Sequence, residues 1–535
     1  MERRQAGRKE GCNPEILTMK KTVCTLYGVF LLAVAMAQTP LKTYEASVSE
    51  ADLRKHLTYI ASDELEGRDT GSEGQKKAAQ YIINHLQEWG LEPIVNTPAG
   101  KSYLQTFPLY KAGWGDGYVT VGKKKMEFFA DYIPSGLINI PEEKTYETVF
   151  VGYGVKDDGH DDYRGKEVKG KAVVFLSGDG SAEGQGWSGT AGLRRKTRIA
   201  TDLGAAAIFE VSLAETGAFK TLVAERKAIL GRFSRMTIEK TPAAAVTPVP
   251  AFVTSKAMGA ALLGTKASQL DKYLAAGSGS TLKTKPVQIR VKSERVDTPV
   301  ETSNVMGFIE GTDRKDEVIV ISAHYDHVGI DEKGQIYNGA DDDGSGTCAV
   351  MELAEAFALA KKGGHGPRRS MLFLWVTGDE KGLLGSEYFT DHDPVIPLKN
   401  IMCNLNIDMI GRVDKKHENN PDYTYIIGSD KLSSELHAIS EKANRESVNL
   451  ELDYEFNDPK DPNRFYYRSD HYNFAKNNIP IAFYFTGVHE DYHRPGDDVE
   501  KILFPRYHKI VQLVYHTAWE LAHRDKRIVV DSNKP

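Results

Sequence analysis

The sequence is short of cysteine, of positive charge and of long apolar runs. Only four cysteines occur in 535 residues, too few for a disulfide framework. Acidic residues outnumber basic ones by 74 to 68, and no basic stripe is present, which argues against nucleic acid as a partner. The apolar run Leu26 to Val34 is too short to cross a bilayer comfortably. The length instead allows a large core and two or more domains.

The N-terminus has the pattern of a signal peptide. Met19-Lys20-Lys21 is a basic start, the apolar run follows, and Ala35-Met36-Ala37 is a small-residue cleavage site. We therefore expect export to the periplasm or the extracellular space after cleavage near Ala37, rather than a retained membrane anchor. Residues 1–18 resemble an extension from a misplaced start codon. Cleavage would leave 62 basic and 71 acidic residues, a net charge of −9, from the 68 and 74 of the whole chain.

Two cysteines, Cys348 and Cys403, remain after that cleavage. Buried free thiols are favoured there over a single bridge. In the first part of the remaining chain, residues 38–140, Ser49-x-x-Asp52 predicts the start of a helix. A second helix follows, with Ala78, Ile82, Leu86 and Trp89 on one face and Gly90 as its stop.

Residues 141–290 differ in character from the chain on either side. They contain short β-rich runs and one helical stretch at 195–203, and we interpret them as an inserted domain that shapes or covers a site. From 291 to 530, apolar strands at 318–323, 371–376, 401–407 and 479–485 alternate with helices at 346–361 and 505–523. This alternation predicts an α/β fold with a mostly parallel sheet covered on both faces.

Five motifs in this last region carry side chains that bind metals. They are AHYDH (323–327), NGADDDGSG (338–346), TGDEKGLLGS (377–386), NIDMIGR (406–412) and DYHRPGDD (491–498). Each falls at or just after the predicted C-terminal end of a strand, where open α/β sheets place their sites. The series predicts a two-metal hydrolase whose ligands are His324, Asp342, Glu380, Asp408 and His493.

The first two motifs each have alternative readings. His324 and Asp326 point to the same side of a strand end, so His324 is the candidate ligand and Asp326 the carboxylate that orients its imidazole. A structural His–Asp pair is the alternative. The run Asp341 to Asp343 favours metal binding because three adjacent charges repel at a partly buried turn. Helix capping and a calcium loop are its alternatives.

The remaining motifs supply candidate catalytic groups. Asp379 and Glu380 are neighbours on an extended segment and would point in opposite directions, one to metal and one to the substrate water as general base. Asp408 ends an apolar strand and needs a metal or a cation, with Arg412 as the rival partner. Tyr492 precedes His493 and is placed to stabilise an oxyanion. Carboxylates and imidazoles without thiolates suit zinc, with manganese or cobalt as substitutes.

With these motifs the mature chain resembles the M28 family of zinc metallopeptidases with an inserted protease-associated domain, and the segment LTYIASDELEGRDTGSEG is similar to the opening motif of that family. The resemblance implies a three-layer α/β/α peptidase domain plus a β-rich inserted domain at 141–290. It also implies two zinc ions per chain, bridged by Asp342. His324 and Asp408 would complete one ion, and Glu380 and His493 the other.

The resemblance assigns further roles and shows one departure. It implies a cis peptide after Asp342, an orienting role for Asp326 and a transition-state role for Tyr492. The family's base is usually glutamate, whereas here the matching residue is Asp379, one methylene shorter. Ser469-Asp470-His471 resembles a recurrent element, either a helix cap or a substrate contact.

The expected activity is that of an exported aminopeptidase acting on peptides. One alternative is a glutaminyl cyclase, which uses a similar scaffold with a single zinc; the complete ligand set favours hydrolysis. A non-catalytic peptide-binding protein on the same scaffold is the other alternative, although such proteins have typically lost ligands and none is missing here. Dipeptidase and carboxypeptidase specificity stay open.

Overall fold

The computed structural model describes residues 39–135, 138–180, 187, 189–232, 236–240, 249–276 and 281–532. The signal peptide and the cleavage site at Ala37 lie outside these residues, so export stays a prediction. No helix in the described part of the chain is long and apolar enough to span a membrane.

Twelve α-helices occur in the described residues. They are α1 (Pro40–Glu45), α2 (Glu50–Ile60), α3 (Glu73–Trp89), α4 (Gly189–Asp202), α5 (Thr216–Arg232), α6 (Lys256–Leu262), α7 (Ala267–Ala276), α8 (Gly346–Lys362), α9 (Leu384–Glu387), α10 (Ser434–Glu446), α11 (His471–Ala475) and α12 (Phe504–His523).

The strands of the first half are β1 (Val95–Thr97), β2 (Gly100–Ser102), β3 (Leu104–Val121), β4 (Lys124–Met126), β5 (Tyr132–Pro134), β6 (Ile140–Phe150), β7 (Ala172–Leu176), β8 (Ala207–Val211), β9 (Met236–Thr237) and β10 (Ala251–Thr254). Those of the second half are β11 (Gln288–Ile309), β12 (Arg314–His324), β13 (Gly329–Ile330), β14 (Ile336–Tyr337), β15 (Arg369–Val376), β16 (Ile401–Ile407), β17 (Tyr423–Ile427), β18 (Glu451–Asp453) and β19 (Ile481–Phe485).

The large lobe, residues 39–112 and 296–532, is built on the sheet β18-β17-β19-β16-β12-β15-β11. Its four central strands, β19, β16, β12 and β15, are mutually parallel. In register, Ser322 pairs with Leu374 on one side and Asn406 on the other, and Asn406 pairs with Phe483. The carboxyl ends of these strands therefore meet at one edge, which is where the sequence motifs lie.

Helices cover both faces of this sheet. Leu57 of α2, Leu86 of α3, Phe357 of α8 and Tyr507 of α12 are fully buried in one core. A second core on the other face contains residues such as Phe389 and Phe474. Burial of this apolar surface is the main stabilising term, at roughly 25 cal/mol per Å². The predicted three-layer α/β/α architecture is confirmed.

The small lobe, residues 119–291, has its own cores. Strands β6, β7, β8 and β10 are parallel neighbours, β5 closes the edge antiparallel, and α4 to α7 lie between or after these strands. The prediction of a β-rich unit is therefore wrong in one respect, because the lobe is mixed α/β. The helices α4 and α5 are the crossovers from β7 to β8 and from β8 to β10, which a parallel sheet requires.

Two long antiparallel strands connect the lobes. β3 and β11 pair continuously from Leu104↔Val305 to Val121↔Ile289, apart from one irregularity between Ser293 and Arg295. At one end β11 joins β15 of the large sheet, and at the other it joins β6 of the small one. The two lobes therefore share a continuous hydrogen-bonded sheet.

The predicted ends of the first helices are confirmed. The Ser49 hydroxyl accepts from the Asp52 backbone N–H at the start of α2. Gly90 ends α3 in the left-handed region with φ 78°, which glycine adopts without strain. Cys348 and Cys403 are buried free thiols, as expected.

Candidate metal centre

The five predicted ligands come together at the carboxyl edge of the parallel strands. His324 ends β12, Asp408 follows β16, and Asp379 and Glu380 follow β15. His493 lies in the loop after β19, and Asp342 lies in the turn that leads into α8. Two groups of side chains here are close enough to hold a metal ion. They are His324, Asp379 and Asp408, and His327, Asp342 and Glu380.

Asp342 lies between two histidines, with one oxygen directed at each. Its Oδ1 is 3.3 Å from Nε2 of His324, and its Oδ2 is 3.1 Å from Nε2 of His493. Two donor atoms that each lie about 2.0 Å from a tetrahedral zinc ion are separated by roughly 3.3 Å. Both distances match that spacing.

Further donors stand beside each histidine. On one side, Oδ1 of Asp408 is 3.6 Å from Nε2 of His324. On the other side, Oε2 of Glu380 is 3.1 Å from Nε2 of His493. The other oxygen of Glu380, Oε1, is 2.9 Å from Nδ1 of His327. Asp342 is therefore flanked by two sets of donors, each with at least one imidazole and one carboxylate.

The three consecutive aspartates have three different surroundings. Asp341 accepts from the Gly411 N–H at 2.6 Å and lies 3.2 Å from Nε2 of His489. Asp343 accepts hydrogen bonds from the backbone N–H groups of His324 and Gly346, at 3.2 and 2.7 Å. It accepts a third from the N–H of Met409, just after β16. Of the three, Asp342 is the one that contacts His324 and His493. Burial and the charges of Asp408 and Asp342 raise the pKa of Asp343 well above its usual range, so repulsion between neighbouring carboxylates is present at this turn.

The peptide bond between Asp342 and Asp343 is cis, as the resemblance implies. Asp497 supports the same turn from outside. Its carboxylate accepts the backbone N–H groups of Asp341 and Asp342, each at 3.1 Å, and its carbonyl accepts that of Ala340 at 3.0 Å.

His324 is oriented by Asp326, although through a different atom from the one predicted. Nδ1 of His324 donates to the backbone carbonyl of Asp326 at 3.0 Å, whereas the carboxylate Oδ1 is 3.8 Å away. The carboxylate instead accepts from the Thr70 hydroxyl at 2.6 Å and from the Asp379 N–H at 3.3 Å. The bond at Nδ1 leaves Nε2 of His324 free to face the other candidate ligands. The Asp326 carboxylate also stabilises the turn at Asp379, because it accepts the N–H of that residue.

Asp379 and Glu380 are not on an extended strand. β15 ends at Val376, and Gly378 takes φ 67°, which turns the chain before the two carboxylates. Their side chains therefore diverge because of a turn. Asp379 Oδ2 is 3.7 Å from Nε2 of His324, so this carboxylate stands beside the metal-binding atoms.

Asp408 is held by serine rather than by arginine. Its Oδ2 accepts from the Ser469 hydroxyl at 2.7 Å, and Arg412 pairs with Glu490 and Asp491 instead. The Arg412 alternative is therefore wrong. Asp470, the next residue of the Ser-Asp-His element, makes no capping hydrogen bond and accepts from the Ser386 hydroxyl. The element thus supports the site and does not cap α11.

The carboxylates and imidazoles shift one another's pKa values. Burial lowers the pKa of His324, but Asp379 and Asp408 outweigh it, so the pKa lies well above its usual range. For Asp342, burial raises the pKa, yet the adjacent imidazoles of His324 and His493 bring it well below its usual range. Burial also raises the pKa of Asp379, to well above the ordinary value. The raised pKa of His324 favours a protonated imidazole, and the lowered pKa of Asp342 favours an ionised carboxylate beside it.

Several buried polar atoms of this cluster have no hydrogen-bond partner among the described residues. They are Oδ2 of Asp342, Oδ1 of Asp379, Oε1 of Glu380, Oδ1 of Asp408 and both ring nitrogens of His327. Leaving a buried polar group unsatisfied costs about 1 to 3 kcal/mol, and more when it is charged. So many in one place fit a bound cation, and the donor set of oxygen and imidazole nitrogen suits zinc.

A cavity opens beside these residues. Asp342, Asp379, Asp408 and His493 form one part of its lining, and Tyr492 and Arg468 also contribute. The rest is apolar: Met409, Phe465, Phe483, Phe485 and Val488. Burial raises the pKa of Tyr492 well above its usual range, so the hydroxyl keeps its proton. A protonated phenol is able to donate to a developing oxyanion.

The sequence reasoning missed two residues of the site. His327 is fully buried and touches Glu380. It belongs to the AHYDH motif. Three of the five residues of this motif have side chains that can bind a metal, and that density could have identified His327 as a candidate ligand. Asp497 is the first aspartate of the final GDD sequence and is also fully buried. Its role depends on contacts with a distant turn, for which no local signal exists.

The chain is similar in sequence to known metallopeptidases. Residues 304–518 match the model of Peptidase family M28, and this range contains all five predicted ligands and His327. A probable zinc metalloprotease of Pyrenophora teres is 37% identical over 153 residues, which cover 27% of this chain and 29% of that protein. Leucine aminopeptidase 2 of Trichophyton rubrum is 28% identical over 226 residues, covering 38% and 41%. The matches span less than half the length of these relatives.

A solved structure shares the fold over most of the chain. The aminopeptidase from Aneurinibacillus sp. strain AM-1 superposes with a TM-score of 0.50 at 18% identity, covering 91% of this chain and 97% of that one. At this identity the similarity establishes the fold. The mixed α/β architecture with its small lobe is therefore shared with a known protein.

Proposed function

We propose, from the match of residues 304–518 to the model of Peptidase family M28, that the chain is an exported zinc aminopeptidase with two metal ions. The observation that carries the proposal is the position of Asp342 between His324 and His493, with one carboxylate oxygen toward each. A carboxylate in this position is suited to bridge two ions, which lie about 3.5 to 4 Å apart in hydrolytic sites.

The proposed ligand sets follow from the spacing of the donors. His324 and Asp408 would hold one ion, and Glu380 and His493 the other, with Asp342 shared. His327 lies beside Glu380 as a further nitrogen donor or as its neutralising partner. When bound, zinc lowers the pKa of water and polarises a carbonyl, which is the chemistry that peptide hydrolysis needs.

Asp379 is the proposed general base. Its Oδ1 is buried without a hydrogen-bond partner, and its residue lines the cavity in which a substrate carbonyl would lie. Its carboxylate would accept a proton from the attacking water while the water oxygen bonds to the carbonyl carbon. The same proton would then pass to the departing amine as the C–N bond breaks.

Tyr492 is the proposed donor to the oxyanion. Its ring stacks on that of His493 with centroids 3.9 Å apart, which holds the phenol beside the metal-binding imidazole. Asp326 and Asp497 act through other groups: the first orients His324, and the second holds the turn of Asp342.

A panel of matched peptides tests the proposal. Free and N-acetylated peptides, with N-terminal glutamine included, would be assayed before chelation, after chelation and after addition of zinc. We expect release of N-terminal residues from free peptides only, loss of activity with chelator and its return with zinc. Equal cleavage of blocked peptides would contradict an aminopeptidase. Formation of pyroglutamate by an enzyme with one tightly bound zinc would identify a cyclase instead.

Export and the identity of the small lobe are part of the same proposal. We propose cleavage after Ala37 and assign the small lobe as a protease-associated domain, with peptide as the substrate. Mass spectrometry of protein recovered from outside the inner membrane of a bacterial host is expected to give a chain beginning at Gln38. A chain that still begins upstream of residue 26 would contradict export by this route.

A further inference from the structure

The cavity beside the proposed metal centre is lined by one cation that is not a metal-binding side chain. This cation is Arg468, and its neighbours in the lining are apolar residues such as Phe465 and Phe485, together with Tyr492. The other charged groups of the lining are the carboxylates Asp342, Asp379 and Asp408 and the imidazole of His493.

Arg468 is held in place without being neutralised. Its Nη2 donates to the hydroxyl oxygen of Tyr492 at 3.2 Å, and its guanidinium lies 4.9 Å from the ring centroid of Phe465. It forms no ion pair with any carboxylate of the described residues. Arg412, which follows β16, shows the contrast, because it pairs with two acidic residues.

An arginine held in this way has donors to spare. A guanidinium carries five N–H groups in a planar fork that matches a carboxylate, and Tyr492 uses one of them. Arg468 is exposed, and the contacts with Tyr492 and Phe465 restrict its side chain before any ligand arrives, which reduces the ordering entropy of binding. A carboxylate is the ligand that this geometry fits.

We propose that Arg468 binds a carboxylate of the substrate and so sets the specificity of the site. The inference rests on the proposed peptidase function and deepens it. The carboxylate has two possible sources in a peptide: an acidic side chain on the first residue, or the terminal carboxylate of a dipeptide. The chemistry at Arg468 is the same for both.

Two substrate series separate these sources. In the side-chain series, otherwise identical amidated tetrapeptides begin with glutamate or with its neutral isostere glutamine. In the terminal series, the same dipeptide has either a free carboxylate or an amide at its C-terminus. For each pair, kcat and KM are measured with the zinc-loaded full chain, and the charged-to-neutral ratio of kcat/KM is the readout.

The test variant is Arg468→Gln, with Arg468→Lys as the conservative replacement. We expect Arg468→Gln to lower the charged-to-neutral ratio about 10- to 100-fold in one series, mainly through KM, because a charge-assisted hydrogen bond is lost. Arg468→Lys is expected to keep part of the preference, since the charge stays and the bidentate geometry is lost. The series that responds identifies the source of the carboxylate.

Two control variants separate carboxylate binding by Arg468 from an indirect effect of Arg468 on Tyr492. Arg464→Gln removes a nearby cation that lies 4.8 Å from the ring of Tyr467 and does not line this cavity, so both ratios are expected to stay unchanged. Tyr492→Phe removes the hydroxyl that Arg468 contacts. It is expected to lower kcat for charged and neutral substrates alike, and to lower the charged-to-neutral ratio less than Arg468→Gln does, because the cation stays.

The proposal is overturned if Arg468→Gln leaves both ratios at their wild-type values, whether activity is kept or falls equally on every substrate. An equal fall would assign Arg468 as a positioning residue for Tyr492. Failure of the proposed function has a different signature, because the wild-type enzyme would then cleave no peptide of either series.

Discussion

Nδ1 of His327 lies 2.9 Å from Oε1 of Glu380, and both side chains are buried. The two residues follow different strands, β12 and β15, so the contact depends on the parallel pairing of those strands. The two atoms form no hydrogen bond with each other or with any other described residue, and we place this pair at one side of the proposed metal centre.

His327→Asn is expected to weaken zinc binding by about 10- to 100-fold, the usual effect of losing a group that ligates a metal or positions its ligand. Activity should fall at limiting zinc and recover, at least in part, in excess zinc. Competition with a fluorescent chelator measures the affinity. The matched control is His392→Asn, because His392 is exposed and its ring stacks on Tyr388, which is not part of the cluster. Unchanged zinc affinity in His327→Asn would remove this residue from the metal centre.

Asp379 stands near enough to His324 to act as a ligand or as a base, and substitution distinguishes the two roles. Asp379→Asn is expected to lower kcat by about 10²- to 10⁴-fold while metal content stays unchanged, as for loss of a general base. Asp408→Asn is the comparison, and it should lower the bound metal as well. Elemental analysis of dialysed protein provides the measurement. A parallel loss of metal in Asp379→Asn would assign Asp379 as a ligand.

Glu380→Gln tests the site without a change of shape. Glutamine keeps the volume and one oxygen but not the charge between His327 and His493, so turnover should be abolished while the fold is retained. Circular dichroism checks the fold, and peptide hydrolysis checks turnover. Wild-type activity in this variant would refute the proposed centre.

Metal removal is expected to lower stability as well as activity. The carboxylates of Asp342 and Asp408 are buried, that of Asp379 is largely buried, and the three repel one another once no cation lies between them. A ligand at 1,000 times its Kd contributes about 4 kcal/mol, which corresponds to a fall in Tm on the order of 10 °C for a large domain. Differential scanning fluorimetry with and without chelator measures the shift. The Asp342→Asn variant serves as control, since its Tm should respond little to chelator.

A buried carboxylate away from the metal centre should govern the response to pH. Burial raises the pKa of Glu352 to about 8, although its Oε2 accepts the Ser49 N–H at 3.1 Å. Burial also lowers the pKa of His56 to about 4, so at pH 6 both are neutral despite their separation of 3.6 Å. Because the folded pKa of Glu352 lies above the ordinary 4.5, its favourable contribution is complete below pH 4.5 and is lost as pH rises to 8.

Glu352→Gln is therefore expected to raise stability at pH 9 by an amount on the order of a few kcal/mol and to change it little at pH 4.5. Thermal unfolding at pH 5, 7 and 9 checks the difference. Glu88→Gln, on the exposed side of α3, should follow the wild-type profile. A constant difference between Glu352→Gln and wild type across this range would contradict the raised pKa.

The features that could be predicted from the sequence are local ones. The capping serine of α2, the apolar strands and the five motifs are each encoded within a few neighbouring residues, and the parallel order of the strands brings the motifs to one edge. The fold class and the association of all five ligands followed from these signals. The division of labour among Asp341, Asp342 and Asp343 came from the family resemblance, since nothing in the three letters distinguishes them.

The features that escaped prediction depend on distant contacts. The pairing of His327 with Glu380 and of Asp497 with the Asp342 turn requires knowing which loops face each other. From the sequence, Asp379 and Glu380 are expected to point in opposite directions because they would lie on a strand. They follow a turn at Gly378 instead, and this turn sets the directions of their side chains. The long pairing of β3 with β11 joins segments that are far apart in the chain, so no window of sequence could reveal it.

That pairing has a consequence for how such a molecule could arise. Val121 and Ile289 are register partners, so the chain leaves the β3–β11 ladder and returns to it at directly opposite positions. Residues 122–288 therefore connect β3 to β11 in the same way that a short turn connects the two strands of a β-hairpin. A whole unit could be acquired, exchanged or lost at this point without moving the two strand ends of the large lobe, and the edge that carries the proposed metal centre would keep its geometry.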